Sequence, residues 1–191
     1  RDKIKSIARI LGFSFSNQLE FAKNYMKLKF EDKEKFDAVL SFLNIDKSSF
    51  LDKNKFYLEM HHINEMIEKG HYFGGHTMTH PPLGVLNHQD QKEEILDSIK
   101  WVKEKFNLSY SFFAFPFSDQ SMTEKLYREI ITVFPDVILF GNSGISKDIS
   151  SNIIQRFSLE NPNKKAGKKV VFENLMYLYK RLRMKAKIVR K

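Results

Sequence analysis

Cysteine is absent from this chain, which removes disulfides, thiolate metal sites and cysteine nucleophiles without saying anything about compartment. No run of about eighteen uncharged apolar residues occurs, so no membrane-spanning helix is expected. No signal-peptide pattern opens the chain, but it begins at Arg1 inside a charged amphipathic pattern, so targeting is not readable from this end. Histidine is missing beyond His88, which leaves no late imidazole for acid–base chemistry. Acids nearly vanish between Asn161 and Lys191, where eleven Lys or Arg stand against the single Glu173.

What is present is enough for a core. The 191 residues are 42% apolar, which suits one globular domain with room for a small appendage. The net charge of +9 sits in the tail and leaves the body nearly neutral, so a nucleic-acid partner is not expected. Residues 163–191 read as a basic amphipathic helix, with Leu175, Met176, Leu178, Tyr179 and Leu182 among Lys180, Arg181, Arg183, Lys185 and Lys187. Such a helix either lies on an anionic membrane surface or acidic polymer, or packs on the body with a solvated basic face.

Along the chain, residues 1–50 form a helical accessory segment or insertion. Three short helices are expected there from Ile4, Ile7, Ile10 and Leu11, then Leu19 to Met26, then Phe36 to Leu43, with a polar cap ending at Asn17. Residues 51–162 carry alternating signals. A helix from Phe56 to Lys69 ends at Gly70, and His71-Tyr72-Phe73 reads as a buried strand with His71 packed. The glycine-bounded loop Gly74–Pro82 follows. Asn87 caps a helix with inner face Ile95, Leu96, Ile99, Val102 and Phe106, and Trp101 on it makes an apolar contact. Phe112–Phe115 is an aromatic strand ended by Pro116. Ser121-Met122-Thr123-Glu124 is a capping box for a helix to Phe134. Strands at Val137–Phe140 and Ile153–Leu159 complete the pattern. Strands alternating with helices predict parallel β/α units, in a barrel or an open sheet, with functional loops at the strand ends. The histidine loop and the Pro116 loop should therefore share one rim.

Two imidazoles four apart, His76 and His80, can clamp one metal, although a lone pair is a weak signal and satisfied surface histidines have the same spacing. Pro81-Pro82 argues for a structured loop rather than a long helix. His61 and His62 read as surface or capping groups.

The run Gly75-His76-Thr77-Met78-Thr79-His80-Pro81 resembles the His-Ser/Thr-x-x-His motif of the polysaccharide deacetylases, a carbohydrate esterase family. Phe113-Ala114-Phe115-Pro116-Phe117-Ser118 is similar to that family's next motif, and Ile154-Gln155-Arg156-Phe157 resembles a late strand of bacterial exopolysaccharide and capsule members. The resemblance covers roughly Phe56 to Glu160. It implies an incomplete or distorted (β/α) barrel with extra amino-terminal helices and the basic carboxyl-terminal helix. It also implies metal-dependent hydrolysis of acetyl groups on an amino-sugar polymer by a bacterial, cytoplasmic or envelope-associated protein. In these terms His76 and His80 are ligands of a divalent metal, usually zinc, and the Phe117 backbone N–H stabilises the oxyanion. Pro116 aims that amide, Thr77 braces the metal loop, and Arg156 contacts substrate.

The departures are specific. The family's Thr-Phe-Asp-Asp motif, which supplies the base and third ligand, does not occur, and its usual place is upstream. The Leu-x-His motif is absent, and Ala114 replaces an arginine. Asp119 is one candidate for a substitute carboxylate. The alternatives to a deacetylase are a catalytically incomplete carbohydrate-binding relative and a basic surface-binding module.

Overall fold

The computed structural model describes residues 2–159 and 165–191. Glu160, where the resemblance ends, and residues 163 and 164 of the expected tail lie outside them. The chain divides into two compact units, Arg1–Ile63 and Asn64–Lys191.

The first unit is helical: α1 Asp2–Leu11, α2 Gln18–Tyr25, α3 Lys33–Phe42 and α4 Lys47–Asn54. Asn17 caps α2 by accepting from the Glu20 amide at 3.0 Å. α1 packs on α3 and buries Ala8 and Leu11. Phe21 collects Phe13 and Phe15 edge-on at 5.4 and 5.2 Å, so the unit closes on aromatics as much as on aliphatic side chains. α4 goes beyond the three expected helices. Its segment KSSFLDKN carries almost no apolar stripe, and it forms because the Asp46 carboxylate accepts from the Ser48 and Ser49 amides.

α5, Met60–Glu68, crosses the division and starts four residues after the expected Phe56. The Glu59 amide donates to His62 Nδ1 at 3.1 Å, which makes His62 a capping group. Gly70, at φ +86°, closes the helix in the left-handed region.

In the second unit α6 runs His88–Lys105 and α7 runs Glu124–Val133. Three parallel strands, β1 Phe112–Ala114, β2 Ile138–Gly141 and β3 Ile153–Gln155, lie in the order β1-β2-β3. Phe113, Leu139 and Ile153 are neighbours in register, and all three point into the core with Ile95, Ile99, Leu126 and Ile130 of α6 and α7. Burial of this apolar set is the main driving force for the unit. The architecture is mixed α/β with parallel strands, as the alternation predicts. Between β2 and β3 no helix intervenes, and residues 142–152 cross as a loop whose Lys147 pairs with Lys187. α8, Ala166–Leu182, is the helix of the basic tail. Among the described residues no helix is long and apolar enough to cross a membrane.

Four expectations are corrected. The strand at His71–Phe73 does not form, because pairing with β1 begins only at Gly75, whose amide donates to the Phe112 carbonyl at 2.8 Å. His71, outside that pairing, is exposed rather than packed. The last strand stops at Gln155, short of Leu159. The cap of α7 is Thr123, accepting from Leu126 at 3.1 Å, not Ser121. The Met122 and Asp119 carbonyls accept from Arg190, which holds residues 119–122 in a turn and delays the helix.

Candidate functional site

The histidine loop leaves the edge of the sheet where Gly75 bridges Phe113. Only glycine fits here. A Cβ at Gly75 would lie 2.6 Å from Ser98 Oγ and 2.9 Å from the Ile99 amide of α6, and one at Gly74 would lie 2.6 Å from the Phe112 carbonyl oxygen. The loop is therefore pressed between β1 and α6. Glu94 of α6 then holds it from below. Its carboxylate accepts from the Met78 amide at 2.6 Å, the Thr79 amide at 2.9 Å and the Thr79 hydroxyl at 2.6 Å. The Thr77 hydroxyl donates to the His76 carbonyl at 2.5 Å and accepts from the His80 amide at 3.1 Å, linking the backbones of both histidines.

His76 Nδ1 lies 2.6 Å from the Ala114 carbonyl oxygen at the end of β1. A carbonyl only accepts, so Nδ1 carries a proton, and in the neutral form of the ring the lone pair is on Nε2. That Nε2 faces the Nε2 of His80 at 3.2 Å, with ring centroids 4.9 Å apart. Two nitrogens bound to one tetrahedral zinc at about 2.0–2.1 Å stand roughly 3.3 Å apart, so the pair has the bite of a chelate. Both rings are exposed to entering solutes. Among the described residues no group of three or more His, Cys, Asp or Glu is assembled to hold a metal. The two imidazoles thus fit a borderline divalent cation as half of a ligand set.

The Pro116 loop meets this pair. The Phe117 ring lies edge-on to His80 at 5.0 Å, so the two loops share a rim. Phe117 sits at φ +53°, Thr77 at +68° and His80 at +59°. Left-handed backbone costs a non-glycine residue roughly 1–2 kcal/mol, and strain of this kind concentrates where a site needs it. Here the surroundings impose it: the Ser118 amide donates to the Pro116 carbonyl at 2.6 Å, and the Asn142 side-chain amide donates to the Phe117 carbonyl. Arg156 follows β3. Its Nε donates to the Gly141 carbonyl and an Nη to the Phe115 carbonyl, each at 3.2 Å, so the guanidinium ties β1 to β2 beside Pro116.

Asp119 is engaged away from the histidines. It is fully buried and accepts from Arg190 at 2.5 Å, from Gln155 and the Ser143 hydroxyl at 2.8 Å, and from the Asn142 amide at 3.2 Å. Burial pushes its carboxyl up, but these hydrogen bonds outweigh burial and hold it at about 2. Asp148 shares the same guanidinium through Nε at 2.9 Å and Nη2 at 2.7 Å, and the same opposition, burial raising and Arg190 lowering, leaves its carboxyl below the usual carboxylate range. Turning Asp119 toward the histidines would break this set.

Sequence reasoning missed Glu94, the Ala114 carbonyl, Asn142 and the Arg190 cluster. Glu94 was signalled only by lying in the acidic stretch of α6 after the histidine loop. The others act through backbone or across long separations and leave no local pattern.

The model of one family, described as polysaccharide deacetylase, matches residues 23–130. The match runs from α2 to α7, takes in both loops of the rim, and begins well before Phe56. No curated protein and no solved structure matches the chain.

Proposed function

Because the chain belongs to the polysaccharide deacetylase family, we propose that its rim removes acetyl groups from an amino-sugar polymer, with His76 and His80 holding a divalent metal, zinc by preference. The observation that carries this reading is the 3.2 Å approach of the two Nε2 atoms, with His76 Nδ1 turned away to the Ala114 carbonyl. His76 and His80 would hold the cation, which would supply a Lewis acid for the acetyl carbonyl and a more acidic water. The chain's own residues do the rest. The Phe117 N–H donates to the oxyanion that develops on the acetyl oxygen, a role that needs only an amide and is indifferent to the side chain. Pro116 has a fixed φ, and the hydrogen bond from the Ser118 amide to the Pro116 carbonyl holds the Pro116–Phe117 peptide that carries this N–H. Thr77 and Glu94 keep both rings aimed at one point. Arg156, beside the loop, is suited to meet polar groups of the sugar.

One zinc per chain should bind in isothermal titration, and His76→Ala with His80→Ala should abolish it. Uptake unchanged in the double variant overturns the site. The commitment of Asp119 to Arg190 favours a second reading, a carbohydrate-binding relative without turnover. Acetate release from an acetylated amino-sugar polymer separates the two: release supports the deacetylase, and polymer binding without release supports the second reading.

A further inference from the structure

An amphipathic helix on a protein surface ordinarily buries its apolar stripe and gives its charges to water. α8 departs from this and leaves its main apolar stripe in water. Its half-buried positions are Lys169, Glu173, Met176, Tyr177 and Lys180. Lys169 pairs with Glu173 at 2.7 Å, and Lys180 donates to Ser146 Oγ at 3.4 Å. None of its residues is buried. Val171, Leu175, Leu178 and Leu182, spaced at i, i+4, i+7 and i+11, form one stripe with Phe172 and Tyr179 beside it, and these six side chains are 50–86% exposed. A contiguous apolar surface on a helix of about 26 Å is not an incidental exposure.

The segment after the helix holds this orientation. The Lys147 amide donates to the Ala186 carbonyl and its carbonyl accepts from the Ile188 amide, both at 2.9 Å. Arg190 is then plugged between Asp119 and Asp148. The helix is tethered with its stripe outward.

Positive charge borders the stripe at both ends. Lys165 and Lys168 stand exposed at its start, and Arg183, Lys185 and Lys187 stand exposed just past its end. The one acid of the segment, Glu173, is turned away and paired. We propose that α8 docks this chain on an anionic lipid bilayer, lying in the interfacial plane with the stripe at the acyl boundary and the terminal cations among phosphate headgroups. A second copy laid on the same stripe brings cations against cations in either direction. Of the six side chains only Tyr179 has a group that can hydrogen-bond a hydroxyl-rich polymer, and its hydroxyl already accepts from Arg183 at 2.8 Å. The proposal does not depend on the metal site.

Cosedimentation of the full chain with vesicles of phosphatidylcholine, with and without phosphatidylglycerol, tests it. The chain should pellet with the anionic vesicles, less so as salt rises, and remain in solution with the neutral ones. Leu175→Glu with Leu182→Glu, both at exposed positions and checked for folding by circular dichroism, should lower partitioning by about tenfold or more. Replacing Lys185 or Lys187 by Ala should lower it by about fivefold for each cation removed. The proposal is overturned by equal pelleting with both vesicle types, by no pelleting, or by a leucine variant that binds as the parent does. A lipid-free dimer that the leucine variant dissolves, or leucine-dependent binding to a soluble polyanion such as DNA, overturns it as well.

Discussion

Two polar constellations in the second unit are built on opposite terms. Around Arg190 two carboxylates and a guanidinium are buried, and their bonds run to one another, to Gln155 and to backbone carbonyls. Around His76 and His80 the groups are exposed, three neighbouring residues have left-handed backbone, and the facing nitrogens meet each other at 3.2 Å. The first set is satisfied and resists change. The second holds partly unspent valence at a solvent-facing rim, which is what a site awaiting a ligand requires. A titratable group deep in the fold is therefore no guide to chemistry here. The Asp119 carboxyl is held well below its ordinary value, at about 2, and it is structural.

The sharpest way to break this contrast is to cut the buried set. Arg190→Met leaves Asp119 and Asp148 facing each other without a counter-charge, and should cost about 3–5 kcal/mol in urea unfolding. Zinc affinity per folded molecule should hardly move. A loss of zinc binding in molecules shown to be folded would mean the two constellations are coupled.

Acid probes the same set more gently. The Asp119 carboxyl is held below its ordinary 3.8, at about 2, so it adds stability that is fully present above pH 4 and lost as pH falls through that window. Asp148 is shifted in the same direction. Unfolding monitored between pH 5 and 2 should show a loss on the order of 2 kcal/mol in the parent. The slope should be much reduced in Asp119→Asn. An equal slope in both would assign the acid sensitivity elsewhere.

Glu94→Ala tests the rim and has the smallest expected effect on stability, about 1 kcal/mol, because its carboxylate is only part-shielded. It removes three hydrogen bonds to the loop between the histidines. Zinc affinity should fall by about tenfold, as for other groups that orient ligands from behind. Unchanged affinity in titration calorimetry would show that Thr77 and Ala114 suffice to aim the rings.

What was legible in the sequence was local. Asn87 and the spacing of Ile95 and Ile99 announced α6, and aromatic density announced β1. The nearness of His76, His80 and Phe117 was expected from two loops that follow strands, and it survives the loss of the first strand because Gly75 still bridges Phe113 of β1. What could not be read was decided by distant partners. The cap moved from Ser121 to Thr123 because Arg190, far along the chain, takes the carbonyls of the preceding turn. The strand at His71–Phe73 was lost because the close approach at Gly75 brings the chain to β1 only there. The outward stripe of α8 has the same cause: periodicity gives the stripe, but not the side on which the body lies.

The Arg190–Asp119 contact spans 71 positions. During synthesis, then, this unit cannot close its polar heart until Arg190 has emerged from the ribosome. Until that moment the turn after Pro116 and the crossover loop carry two anions with no cation between them. Completion of the fold is thereby timed to the arrival of a single late guanidinium, and nascent chains stalled before it would be the ones exposed to proteolysis.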